Sequence, residues 1–74
     1  MPKQQAQSQL CNRLKEIRAR HNFTQAELAA KVSVTRKTIN TVENNVFIPS
    51  TVLALKLARA LDVRVEELFY LNGS

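Results

Sequence analysis

The chain has 74 residues, of which 45% are apolar, so it can form one small domain and is not expected to be disordered. One cysteine and one histidine exclude an internal disulfide and a four-ligand zinc site, and no apolar run approaches the roughly 18 residues of a membrane span. The formal net charge is +5; residues 1–40 carry eight bases and two acids, and the rest carries three bases and four acids. We therefore expect a soluble, cytoplasmic, mostly helical protein without metal or cofactor. Its basic part would either meet a polyanion or merely keep the surface solvated.

The ends of the chain differ in composition from its middle. Residues 1–9 are polar and Gln-rich, which predicts a flexible N-terminal arm, and residues 72–74 form a short polar tail. Residues 10–71 carry the apolar periodicity and constitute the predicted domain.

The first predicted helix begins around Ser8 or Gln9 and ends at about His21. Its apolar stripe consists of residues at helical spacing: Leu10, Leu14, Ile17 and His21. Asn22 then suits the left-handed conformation that ends many helices, because Asn tolerates a positive φ better than most residues do.

Two helix start signals follow in close succession. Thr24 can cap a short helix over 25–32, with Glu27 three residues later completing a capping box. Thr35 can cap a second helix over 36–43. Two short helices joined by so tight a turn must cross steeply, which predicts a helix-turn-helix arrangement.

The helix over 36–43 has two faces of different chemistry. Its front is polar without an acid and comprises Arg36, Lys37, Asn40, Thr41 and Asn44; its back comprises Thr38, Ile39 and Val42. The front offers groups that hydrogen-bond to base edges and phosphates, although a merely solvated face is the alternative.

The C-terminal part predicts two further helices. Ser50 can cap a helix that reaches about Leu61, and a last helical turn is expected over residues 65–69. Some apolar residues here exceed what one small core can bury. We predict that they form a homodimer interface: Val52, Leu55, Phe69, Tyr70 and Leu71.

Residues 25–45, QAELAAKVSVTRKTINTVENN, resemble the helix-turn-helix of the Cro and phage-repressor type, the XRE family. The resemblance extends over residues 10–69. It implies an all-α, lambda-repressor-like fold of five helices, with the third helix in the DNA major groove. The family commonly has Gly where this chain has Asn22, Ser33 and Asn45; of these, Ser adopts a positive φ at some cost.

The resemblance also implies roles for individual side chains. Base edges would be contacted by Arg36, Lys37, Asn40 and Thr41. Phosphates would be held by Thr24, Gln25, Thr35 and Asn44. By general pairing rules, Arg and Lys favour guanine and Asn favours adenine.

Arg18 and Glu43 each lie at the edge of an apolar face, where a charge normally requires a partner. The resemblance adds that an Arg of the first helix and a Glu closing the third commonly pair. We therefore predict that Arg18 and Glu43 form a structural salt bridge rather than both pointing into solvent.

These observations favour a non-enzymatic transcriptional regulator, a repressor that binds a palindromic operator in double-stranded DNA as a homodimer. The alternative is an antitoxin or other partner-binding module, which would bind a toxin-like protein and use DNA only for autoregulation. No catalytic set is credible from Cys11 and His21, which stand ten residues apart on the predicted first helix. Cys11 is more simply a small buried hydrophobe than a redox sensor, and His21 more simply a helix-terminal residue.

Overall fold

Five helices and a two-stranded sheet make up residues 9–72, the part of the chain that the computed structural model describes. In chain order the elements are β1 (Gln9–Asn12), α1 (Leu14–Arg20), α2 (Gln25–Lys31), α3 (Arg36–Glu43), α4 (Thr51–Ala60), α5 (Val65–Leu68) and β2 (Phe69–Asn72). Most of the predicted N-terminal arm, residues 1–8, and the last two residues of the predicted tail lie outside this range. None of the helices within it has the length and apolar character that crossing a membrane demands.

The sheet corrects the prediction of an all-α fold and of a helix that starts near residue 9. β1 and β2 pair antiparallel, with Gln9 opposite Asn72 and Asn12 opposite Phe69. The Arg13 amide donates to the carbonyl of Leu68 at 2.8 Å and continues the connection beyond the strands. The helical spacing of a few apolar residues predicted a helix here. The strand conformation depends instead on pairing with β2, about 60 residues further along the chain, and local spacing does not indicate such a partner.

The first helix consequently begins later than predicted, at Leu14, whereas its end agrees with the prediction of about His21, the residue that caps it. Leu14 and Ile17 are buried on α1 as expected, whereas Leu10 belongs to β1. His21 follows the last turn, is exposed, and stacks on the ring of Phe23 with 5.6 Å between ring centroids.

The predicted caps of α2, α3 and α4 are confirmed. Thr24 Oγ1 accepts from the Glu27 amide at 3.0 Å while the Glu27 carboxylate accepts from the Thr24 amide at 2.8 Å, the two halves of a capping box. Thr35 and Ser50 cap α3 and α4 through one bond each: Thr35 Oγ1 accepts from the Thr38 amide at 3.2 Å and Ser50 Oγ from the Leu53 amide at 3.1 Å. These local bonds place each helix start where the sequence pattern predicts it.

The predicted positive φ angles are also confirmed. Asn22, Ser33 and Asn45 have φ of 59°, 61° and 61°, and each follows closely on the end of a helix. Asp62, with φ of 55°, does the same after α4 and was not predicted. Ser33 has the shortest of these side chains, and its left-handed conformation turns the chain from α2 into α3.

The core draws on all five helices. Its buried members are Leu14, Ile17, Leu28, Ala29, Val32, Ile39, Val42, Leu53, Leu57, Ala58, Leu61 and Leu68. Because Ile39 and Val42 bury the back of α3 against this core, the front of α3 must face outward.

Candidate nucleic-acid interface

The front of α3 is an exposed polar surface. Arg36, Lys37 and Asn40 are exposed, Thr41 is half-buried, and Asn44 is exposed just beyond the last residue of the helix. The structure thus brings together on one face the four residues predicted to contact bases.

A buried ion pair sets the position of α3 relative to α1. Arg18 Nε donates to Glu43 Oε2 at 2.6 Å and Arg18 Nη2 to Glu43 Oε1 at 3.3 Å. Only 14% of the Arg18 side chain and 3% of the Glu43 side chain are exposed. Arg18 Nη1 also donates to the carbonyl of Phe23 at 2.8 Å, so the guanidinium is bonded on two sides.

Gln25, at the start of α2, connects this ion pair to the front of α3. Its Nε2 donates to Glu43 Oε1 at 3.0 Å and to Asn40 Oδ1 at 3.2 Å. Its Oε1 accepts from Arg36 Nη1 at 3.2 Å. One side chain of α2 therefore holds two of the predicted base-contacting residues in place.

Asn44 and Thr41 are bonded back onto α3. Asn44 Nδ2 donates to the Asn40 carbonyl at 2.8 Å and to Asn40 Oδ1 at 3.2 Å. Thr41 Oγ1 donates to the carbonyls of Lys37 and Thr38, both at 3.0 Å. The amide hydrogens of Asn44 and the hydroxyl hydrogen of Thr41 are thus engaged within the helix.

The four residues predicted to hold phosphates divide into two pairs. Thr24 and Thr35 are exposed caps whose oxygens accept from backbone amides. The Thr24 hydroxyl hydrogen is left to reach a phosphate, whereas Thr35 Oγ1 also shares a hydrogen bond of 3.1 Å with Thr38 Oγ1. Gln25 and Asn44 already use their amide hydrogens on neighbouring side chains and backbone. A phosphate contact by either NH2 group would require one of those bonds to break.

Asn12 is a positioning residue that the sequence interpretation missed. Its Nδ2 donates to the carbonyl of Val42 and to Asn45 Oδ1, both at 3.0 Å, and its Oδ1 accepts from the Leu14 amide at 3.0 Å. It thereby links β1 to the end of α3. An Asn two residues before a buried Leu is itself a helix-start signal, and it indicates a start of α1 within a residue of the observed one.

Apolar side chains are also exposed on α4 and on β2. Of the residues predicted to form a dimer interface, Val52, Leu55, Tyr70 and Leu71 are exposed, whereas Phe69 is half-buried against the core. The Arg13 guanidinium lies 4.5 Å from the centre of the Tyr70 ring. The loop before α4 adds three exposed apolar residues that were not predicted: Val46, Phe47 and Ile48.

The described residues hold no cluster of three His, Cys, Asp or Glu side chains that suits a metal ion. Cys11 is a half-buried free thiol on β1, and His21 follows α1.

Fold and sequence together place this protein in a known class. The helix-turn-helix family matches residues 14–68, and the chain belongs to that family, in its Cro and phage-repressor type. Its relatives carry the names of transcriptional regulators, in agreement with the resemblance carried by residues 25–45.

Individual relatives cover most of the chain. It is 40% identical over 61 residues to YgzD of Bacillus subtilis, an uncharacterized HTH-type transcriptional regulator, covering 82% of this chain and 92% of the relative. It is 45% identical over 58 residues to another such regulator, from Methanocaldococcus jannaschii, covering 78% of this chain and 88% of the relative.

Among solved structures, the restriction-modification controller protein C.AhdI of Aeromonas hydrophila is similar to this chain. The two are 36% identical, with a TM-score of 0.71 over 74% of this chain and 80% of that one. A protein of Bacteroides fragilis to which DNA binding is attributed matches with a TM-score of 0.76 and 28% identity, covering 82% of this chain and 98% of that one.

Proposed function

We propose that this protein is a sequence-specific repressor that binds a palindromic operator as a homodimer, with α3 in the major groove. The observation that carries the proposal is the exposed front of α3, whose Arg36, Lys37 and Asn40 project from a helix that a buried ion pair holds in place. Arg, Lys and Asn are the side chains most suited to hydrogen-bonding with base edges.

Electrostatics support the same function. The net charge is +5, and residues 1–40, which include α1, α2 and the start of α3, carry the basic excess. Lys and Arg that neutralise phosphates release counterions from DNA, which supplies much of the affinity. Thr24 and Thr35 lie at the starts of α2 and α3, where their hydroxyl groups can hold the backbone phosphates on either side of the groove.

The apolar surface on α4 and β2 supports a homodimer. One recognition helix reads only a few base pairs, and a two-fold axis doubles that footprint on a palindrome. Val52, Leu55, Tyr70 and Leu71 supply exposed apolar area on elements other than α3, which a second copy can cover.

Two measurements test DNA reading. Selection of bound duplexes from random DNA should give one preferred, two-fold symmetric sequence. Binding to that duplex should weaken roughly 10³–10⁵-fold between about 50 and 200 mM salt, if six to ten phosphates are contacted per dimer. A flat salt response, or no preferred sequence, would refute the proposal. Co-purification of a stoichiometric second protein from native cells would instead favour the partner-binding alternative.

A further inference from the structure

Asn40 lies on the front of α3 with its carboxamide oxygen fully used. Asn40 Oδ1 accepts from Gln25 Nε2 and from Asn44 Nδ2, each at 3.2 Å. A carboxamide oxygen has two acceptor positions, so two donors saturate it. Within residues 9–72, by contrast, Asn40 Nδ2 makes no hydrogen bond, and the residue is exposed.

Charged neighbours determine which way these amides point. A carboxylate only accepts, so the Gln25 atom that lies 3.0 Å from Glu43 Oε1 must be the nitrogen. A guanidinium only donates, so the Gln25 atom that meets Arg36 Nη1 must be the oxygen. Both constraints agree, and the Gln25 nitrogen therefore faces the oxygen of Asn40 rather than its nitrogen.

The second donor is oriented independently. The backbone carbonyl of Asn40 only accepts, so the Asn44 atom 2.8 Å from it is the nitrogen, and the same nitrogen meets Asn40 Oδ1. Turning the Asn40 amide over would place its NH2 group against two N–H donors. That turn would break both hydrogen bonds to the Asn40 oxygen, and the bond from Gln25 to Glu43 keeps the Gln25 amide from turning to restore one of them.

On the proposed function, on which this inference rests, we propose that Asn40 presents only a donor to the bases and reads guanine rather than adenine. Bidentate pairing of Asn with adenine requires the carboxamide oxygen to accept from N6–H2 while the nitrogen donates to N7. Asn40 has no acceptor position left for N6–H2. Guanine presents two neighbouring acceptors, N7 and O6, in the major groove, and these match a free NH2 group.

The remaining donors on this face have the same preference. The guanidinium of Arg36 and the ammonium of Lys37 carry no acceptor, and both pair best with guanine. We therefore expect the half-site facing α3 to be rich in guanine. Asn40 adds to this preference because Gln25 and Asn44 occupy its oxygen and leave only its NH2 group for a base.

The first experiment identifies the base under Asn40. Duplexes are selected from random DNA with the full chain and with Asn40→Ala, and the base pair whose preference disappears in the variant is assigned to Asn40. We expect guanine there, preferred over adenine by roughly ten-fold. Adenine at that position overturns the inference, whereas failure to select any sequence would overturn the proposed function itself.

The second experiment frees the oxygen of Asn40. The double variant Gln25→Ala, Asn44→Ala removes both donors, and the guanine-to-adenine ratio at the assigned pair should fall about ten-fold toward equality. Lys37→Ala is the matched control, because it should alter preference at another pair and leave this ratio intact. Circular dichroism verifies folding; if the double variant is unfolded, Asn44→Ala alone is measured and should lower the ratio by a smaller factor. An unchanged ratio in a folded variant overturns the inference.

Discussion

The protein has two exposed surfaces whose construction differs. On the front of α3, polar side chains are joined to one another by hydrogen bonds that lead back to the buried pair of Arg18 and Glu43. On α4 and β2, apolar side chains such as Leu55 and Leu71 stand exposed. Hydrogen bonds are directional, so those on the front of α3 fix which donors face outward. The free energy of apolar contact, by contrast, depends chiefly on the area buried. The first surface is therefore suited to selecting a sequence and the second to joining two copies.

Breaking the buried ion pair should give the largest effect. Glu43→Gln leaves the Arg18 charge buried without its carboxylate, and the free energy of unfolding should fall by about 3–5 kcal/mol. The matched control is Glu16→Gln, which removes an ion pair with Arg20 whose side chains are 57% and 63% exposed. That control should change stability by less than about 1 kcal/mol. Thermal unfolding of the two variants side by side measures the difference. Equal melting temperatures would show that the Arg18–Glu43 pair stabilises the fold no more than the exposed pair does.

If the proposed homodimer forms through the exposed apolar residues of α4 and β2, a charge among them should separate the two copies without unfolding either one. Leu55 is 54% exposed, so Leu55→Glu should leave the stability of the monomer nearly unchanged. It should weaken dimerisation by about 2–3 kcal/mol for each buried Leu that is lost. Sedimentation velocity measures the shift toward monomer. Lys56→Gln, on the neighbouring residue of α4, controls for charge because it lowers the net charge by the same one unit. A Leu55→Glu protein as dimeric as the parent would place the interface elsewhere.

Within the polar surface, base and phosphate contacts should respond differently. Lys37→Ala should relax sequence preference at one base pair by about 1–3 kcal/mol. Thr24→Ala should weaken binding to all duplexes alike and lower stability by about 1 kcal/mol through the lost cap. Competition between the selected duplex and random DNA distinguishes the two results; a general loss for Lys37→Ala with a specific loss for Thr24→Ala would reverse the assignment.

The smallest effect concerns the turn that carries α2 into α3. Ser33 has a φ of 61°, which costs a residue with a Cβ atom about 1–2 kcal/mol. Ser33→Gly should relieve this strain and raise the free energy of unfolding by up to about 1 kcal/mol, since the added chain entropy of Gly offsets part of the gain. Asn22→Gly serves as the control and should gain less, because Asn tolerates this conformation. Chemical denaturation of both variants tests the order.

Much of the helix-turn-helix could be predicted because its determinants are local. Thr24 with Glu27 and Thr35 with Thr38 form bonds between residues three apart, so their pattern is visible along the chain. The left-handed Asn22 is predictable for the same reason. The strand Gln9–Asn12 was mistaken for helix because its conformation depends on pairing with Phe69–Asn72, a contact that no local pattern records.

The sequence by itself determined where α2 and α3 begin, which face of α3 is polar, and where the charge lies, because capping, periodicity and composition act between near neighbours. Only the tertiary structure decided how the polar side chains are used. Gln25 precedes Asn40 by 15 residues and Asn40 precedes Glu43 by 3. They nevertheless form one hydrogen-bonded unit, because the packing of α2 against α3 places Gln25 beside both, while Arg18 of α1 pairs with Glu43. In the sequence, the Asn40 side chain offers both a donor and an acceptor. In the folded chain its acceptor oxygen is already hydrogen-bonded to Gln25 of α2 and to Asn44 at the end of α3, so only the donor remains.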